Sequence, residues 1–113
     1  MTVRSTQLAA YKSTANVQAT LYTVPAGWRA IVKSANVYNG SGNPASVTLW
    51  VQSHTNANRG ILVIQSLQNN TTVTWQGWTV ANPGDFVDAY VDQGSVEIML
   101  SGTLLKLTGL EPA

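Results

Sequence analysis

The stretch NPGDFVDAYVDQGSVEIMLSG, residues 82–102, decides the fold. It opens on Asn82-Pro83-Gly84-Asp85, where proline presets φ and glycine supplies a positive φ, so the four residues predict a turn. The next run, residues 86–92, alternates: Val87, Ala89 and Val91 fall on one parity, and Asp88, Tyr90 and Asp92 on the other. After a Gln93-Gly94 turn the pattern resumes, with Val96, Ile98 and Leu100 set against Glu97, Met99 and Ser101. Successive side chains of a strand point to opposite faces, so these runs predict strands with one face on the core and one in water.

Outward from this stretch the same period recurs. In residues 46–52, Val47, Leu49 and Val51 share the apolar parity, while Ser46, Thr48, Trp50 and Gln52 share the polar one. Residues 28–38, WRAIVKSANVY, are apolar on both parities, as in a strand covered on both sides or interrupted by a bulge. Further strands are predicted at 20–24, 61–67, 72–80 and 103–108, with turn chemistry at 25–27, 39–44, 56–60 and 69–70 between them. Residues 1–19 are polar, with a small apolar cluster at 8–11, and read as an N-terminal arm or edge strand ahead of a β-sandwich domain at 20–113. No window carries a convincing helical period. The expected fold is all-β, an antiparallel two-sheet β-sandwich of jelly-roll type with about eight strands.

Composition narrows the function. The 113 residues carry six basic and five acidic side chains, a net charge of +1, with the basic residues scattered along the chain. That distribution offers no footprint for nucleic acid. Charged residues make up 10% of the chain, against about 25% in ordinary soluble domains, so mutual repulsion between copies is weak and association is favoured. There is no cysteine, which removes disulfides, thiolate metal sites and a cysteine nucleophile. No run approaches the roughly 18 apolar residues of a membrane span, and the start MTVRSTQLAAYKST lacks the apolar core of a signal peptide, so no membrane partner is expected and the protein is expected to stay in the cytosol where it is made.

Candidate chemistry is sparse. Asp85, Asp88 and Asp92, with Glu97 nearby, are the one acidic set, and calcium needs several carboxylates converging on one site. Asp85 falls in the predicted turn, where aspartate bonds its own backbone. Asp88 and Asp92, four residues apart on a strand, stand roughly 13 Å from each other at about 3.3 Å per residue. A solvated strand face is the reading that follows. His54 is the sole histidine, in the loop-like SHTNANRG, with no partner evident in sequence, so it reads as a polar surface residue. No nucleophile elbow, metal-binding helix motif or phosphate-cradling glycine loop is present. Hence no catalytic residue, no metal ligand and no cofactor are expected, and the chain reads as a non-enzyme.

The four tryptophans carry the remaining signal, since aromatic side chains dominate interface energetics. Trp50 lies on the polar parity of a cleanly alternating strand, so exposure or burial at a subunit contact is expected for it. Trp75 and Trp78 differ in parity, one inward and one outward, unless a bulge at Gly77 intervenes. Trp50, Trp78, Trp28 and Tyr90 are the interface candidates. Packing within the chain is the competing reading for all four tryptophans, and stacking on a sugar ring is a third.

Residues 20–52, TLYTVPAGWRAIVKSANVYNGSGNPASVTLWVQ, resemble a module recurrent in tailed-bacteriophage virion structural proteins: an LYTVPAG opening, a strand like AIVKSI.V.N, a small polar turn, then VTL. Residues 82–102 resemble the closing half of the same module. Trp28 stands where a small or basic residue is commoner, and Trp50, Trp75 and Trp78 exceed the module's usual aromatic count. The resemblance implies a β-sandwich that works as an oligomer. On that basis the expected role is a capsid decoration protein that cements a phage head. Its expected partners are copies of itself, most readily as a homotrimer, and the phage major capsid protein or a tail protein. A tail or fibre accessory protein is the alternative, and a module that binds a surface glycan or receptor through exposed tryptophan is another.

Overall fold

The computed structural model describes residues 3–107. They form eight strands and, within that span, no helix: β1 (Val3–Lys12), β2 (Val17–Thr23), β3 (Trp28–Asn39), β4 (Ala45–Gln52), β5 (Arg59–Leu67), β6 (Thr72–Ala81), β7 (Phe86–Val91) and β8 (Val96–Lys106). Two four-stranded sheets result, ordered β1-β8-β3-β6 and β2-β7-β4-β5. All pairings are antiparallel. The pairs β1·β8, β2·β7, β3·β6 and β4·β5 are nested, as in one long hairpin rolled over on itself, and β3·β8 and β4·β7 close the two sheets. That is the jelly roll expected from the sequence.

The alternating runs land as read. Val87, Ala89 and Val91 of β7, Val96, Ile98 and Leu100 of β8, and Val47, Leu49 and Val51 of β4 are all buried in the core between the sheets. The two strands predicted at 96–101 and 103–108 are a single strand, β8, because Ser101, Gly102 and Thr103 stay in register with β1 and all pair with β3. Thr108 lies outside the described residues. The apolar run 28–38 is one strand with a bulge: pairing steps from Val32 to Ser34 and leaves out Lys33. Ala30 and Val32 before the bulge, and Ala35 and Val37 after it, therefore all reach the core although their parities differ.

Buried polar side chains tie the loops at both ends. At one end Asn39, fully buried, donates from Nδ2 to the carbonyls of Asn43, Leu67 and Gln68, and its Oδ1 accepts from Ser41. One side chain thus holds the β3–β4 and β5–β6 turns together. At the same end Ser13 Oγ donates to the Gln93 carbonyl and accepts from the Val96 amide, locking the β1–β2 turn to the β7–β8 turn. Backbone polar groups in buried turns need such partners, because leaving them unpaired costs about 1–3 kcal/mol each.

Candidate functional site

The β5 and β6 strands are the outer strands of their sheets and lie against each other along one side of the sandwich. Four of the chain's exposed large apolar side chains lie on these two strands: Ile61 and Ile64 on the outer face of β5, Trp78 and Val80 on the outer face of β6. The geometry that turns Trp78 outward is specific. Opposite the Lys33 bulge of β3, β6 leaves out Gly77 and Trp78, since Val32 pairs with Thr79 and Ser34 with Gln76. The extra residue re-aims the strand. Trp75 then packs against the core, while Trp78 is 72% exposed. Glycine is required at 77 because a Cβ there would sit 2.6 Å from Cζ2 of Trp75. The ammonium of Lys33 lies 5.7 Å from the centre of the Trp78 ring, within reach of a cation–π attraction. The two bulged residues thus meet on the outer face.

Trp50 behaves differently from the sequence reading. Its parity is the outer one, but it is only 3% exposed within the single chain. The guanidinium of Arg59 covers its ring at 4.8 Å, and its Nε1 donates to Gln52 Oε1 at 3.1 Å. Pairing steps from Leu49–Val63 to Trp50–Ile61, leaving out Leu62, and Arg59 lies across from Gln52 beyond that bulge. The sequence expectation of an indole facing solvent or a second subunit is therefore corrected: an arginine from the neighbouring strand closes over it. Trp28 is half-buried and packs against the core. Tyr90 is exposed on the other sheet, and its hydroxyl donates to Asn16 Oδ1. The four interface candidates therefore do not form one patch, and only Trp78 stands out from the surface at full length.

The acidic residues also depart from a solvated face. Asp88 is buried beside Trp50, its carboxylate accepting from Gln18 Nε2 at 2.8 Å and Thr20 Oγ1 at 2.7 Å. Asp92 accepts from the Ser46 amide. Asp85 does more than bond its own turn. The Asp85 amide donates to the Asn82 carbonyl at 2.9 Å with Gly84 at φ +87 between them, the type II geometry that needs glycine. Its Oδ2 accepts from the Asn82 amide, while its Oδ1 accepts from the His54 amide and meets His54 Nδ1 at 2.7 Å. The Asp85 carbonyl accepts from Val24. Burial pushes the Asp85 carboxyl up, but the His54 ring and the Asn82 and His54 amides outweigh it and hold the pKa below the ordinary 3.8.

His54 therefore has a carboxylate partner that the sequence did not reveal. The pair joins the β4–β5 and β6–β7 loops, and the ring lies against the backbone of Gly84. Among the described residues no three His, Cys, Asp or Glu side chains converge as a metal site would need, and no helix is long and apolar enough to cross a membrane.

No family model matches the chain, and no curated protein matches it. Solved structures match the fold. A Bacillus endospore appendage protein, from disulfide-linked pili, superposes with a TM-score of 0.57 at 10% identity, covering 95% of this chain and 90% of that one. A chain of the T13 viral particle of IBDV gives 0.54 at 9% identity, covering 90% of this chain and 30% of that one. The Drosophila NLP-core, described for its pentamer formation and histone binding, gives 0.53 at 11% identity and covers 94% and 100%. At such identities the likeness is one of fold.

Proposed function

We propose that this chain is a non-enzymatic building block of a virion, one that packs against copies of itself and against a shell or tail protein. The observation that carries the reading is the exposed apolar bulk of Ile61, Ile64, Trp78 and Val80 on two outer strands that run along one side of the sandwich. Outer strands present unpaired backbone groups, and natural proteins blunt them unless they are used. Here they carry exposed apolar bulk, including a tryptophan aimed outward by a built bulge. Proteins sharing the fold are described as components of pili, of a viral particle and of a pentamer, which supports repeated association as the use of this side. The resemblance to tailed-phage modules gives the setting, with decoration of the head as the specific role.

Sugar stacking is less well supported. The exposed aromatic rings are Tyr38 and Trp78 on one sheet and Tyr90 on the other, and they do not line up as a platform.

Light scattering and urea unfolding of Ile64→Asp and Trp78→Ala test the proposal. Reduced assembly mass with an unchanged unfolding midpoint is expected of both. Unchanged mass in both variants would overturn it.

A further inference from the structure

We infer that copies of this chain join head to tail, with Trp78 and Lys33 of one copy seated in the hollow between β1 and β8 of the next, where Glu97 receives Lys33. This rests on the assembly reading above and names the two faces that make the contact.

The donor face is the double bulge. Trp78 stands clear of the sheet on β6, at one edge of the β1-β8-β3-β6 sheet, and Lys33 lies on its ring. The receiving face is at the opposite edge of the same sheet. A hollow of about 300 Å³ opens there, lined by Ala10, Tyr11 and Lys12 of β1 and Glu97, Ile98 and Met99 of β8. Its lining offers what an indole takes up well. Met99 is 47% exposed, and a thioether makes favourable contacts with aromatic rings.

Charge chooses the partner. Of the four acidic side chains described, Asp85, Asp88 and Asp92 are held by hydrogen bonds. Glu97 is exposed, and no hydrogen bond or ion pair within the described residues engages it. Lys12 stands across from it in register, yet the two form no ion pair. Lys33, for its part, has only the Trp78 ring. The free carboxylate sits in the hollow and the free ammonium on the knob. A two-fold pairing of β6 edges would instead bring one Lys33 towards another, and like charges across an interface are disfavoured. A contact between two different patches is heterologous, so it closes into a ring when the rotation allows and otherwise propagates as a filament.

The chain has no cysteine, so single thiols report contacts cleanly. Val80→Cys marks the donor side and Ala10→Cys the receiving side, both leaving Trp78, Lys33, Glu97 and Met99 in place. With a short bismaleimide, an equal mixture of the two variants is expected to give a covalent dimer, and neither variant alone is expected to. Separately, Lys33→Glu and Glu97→Lys should each weaken assembly by about tenfold or more, equivalent to about 1.4 kcal/mol, and the double exchange should restore it. Dimers from either variant alone would show an edge paired with its own copy and overturn the inference. No dimer in the mixture, with the assembly mass of both variants intact, would overturn it and leave the assembly reading standing. A monomeric wild-type protein would overturn both.

Discussion

His54 Nδ1 and Asp85 Oδ1 lie 2.7 Å apart although 31 residues separate them in the chain. The side chain of Asp85 is 10% exposed and that of His54 is 45% exposed. One carboxylate therefore serves three donors in two loops, and through its carbonyl it also holds Val24 at the start of the β2–β3 loop. The pair therefore bridges the β4–β5 and β6–β7 loops as a clasp.

The clasp makes stability depend on acid. Because the Asp85 pKa is below 3.8 in the fold, the unfolded chain binds the proton more readily. The stabilisation is complete above about pH 4 and is lost as pH falls through the folded value. Urea midpoints measured down to pH 2 should drop for the wild type. Asp85→Asn should be less stable at pH 7, by about 2 kcal/mol, given the usual worth of hydrogen bonds to a charged group. Its midpoint should also fall less below pH 4. Parallel pH profiles for the two proteins would contradict this account.

Trp50→Ala should weaken the fold and leave surface contacts alone. Removing a buried indole typically costs about 3–5 kcal/mol, and the change would also strip the cover from Asp88 and leave Arg59 without its ring. Urea unfolding should show the loss directly. A small change in midpoint with a large change in assembly mass would instead place Trp50 at a subunit contact.

Gly77→Ala tests whether the bulge is built or incidental. The added methyl meets Trp75 at 2.6 Å, so Trp75 must leave its packing against the core, at about 1–3 kcal/mol for such overpacking. A lowered melting temperature and an altered tryptophan emission spectrum are expected together. An unchanged emission spectrum would show that the chain accommodates the methyl without moving Trp75.

Asn39→Ala should be among the most damaging single changes outside the apolar core. It removes the amide donor from three carbonyls; those of Asn43 and Gln68 keep the Ser41 and Thr71 hydroxyls, so the loss falls on the buried Leu67 carbonyl and on the Ser41 donors that Asn39 Oδ1 accepts, at about 1–3 kcal/mol. Thermal unfolding measures it, and a loss below about 1 kcal/mol would mean that water replaces the amide.

The fold was legible in the sequence because one-sided burial writes a period of two, as in Val47-Thr48-Leu49 and Val96-Glu97-Ile98. Turn residues such as Pro83-Gly84 punctuated it. The Gly77 bulge was visible only as an alternative, since parity cannot tell an outward tryptophan from a skipped residue. Trp50 was misread for a different reason: parity reports the face of the sheet, whereas burial depends on what crosses that face. The arginine that covers Trp50 comes from β5, nine positions further along the chain. Asp88 was misread the same way, its partners Gln18 and Thr20 being about 70 positions away. The His54–Asp85 clasp left no local signal, because it exists only once the nested pairing brings two loops to one end.

The mass of the wild-type protein in solution, measured by multi-angle light scattering across a wide concentration range, tests the central claim most directly. A building block whose β5–β6 side serves assembly should weigh an integral multiple of 12.1 kDa and shift towards the single chain on dilution. A constant mass of 12.1 kDa at every concentration would contradict self-assembly, and with it the reading of Trp78 as an assembly contact between copies.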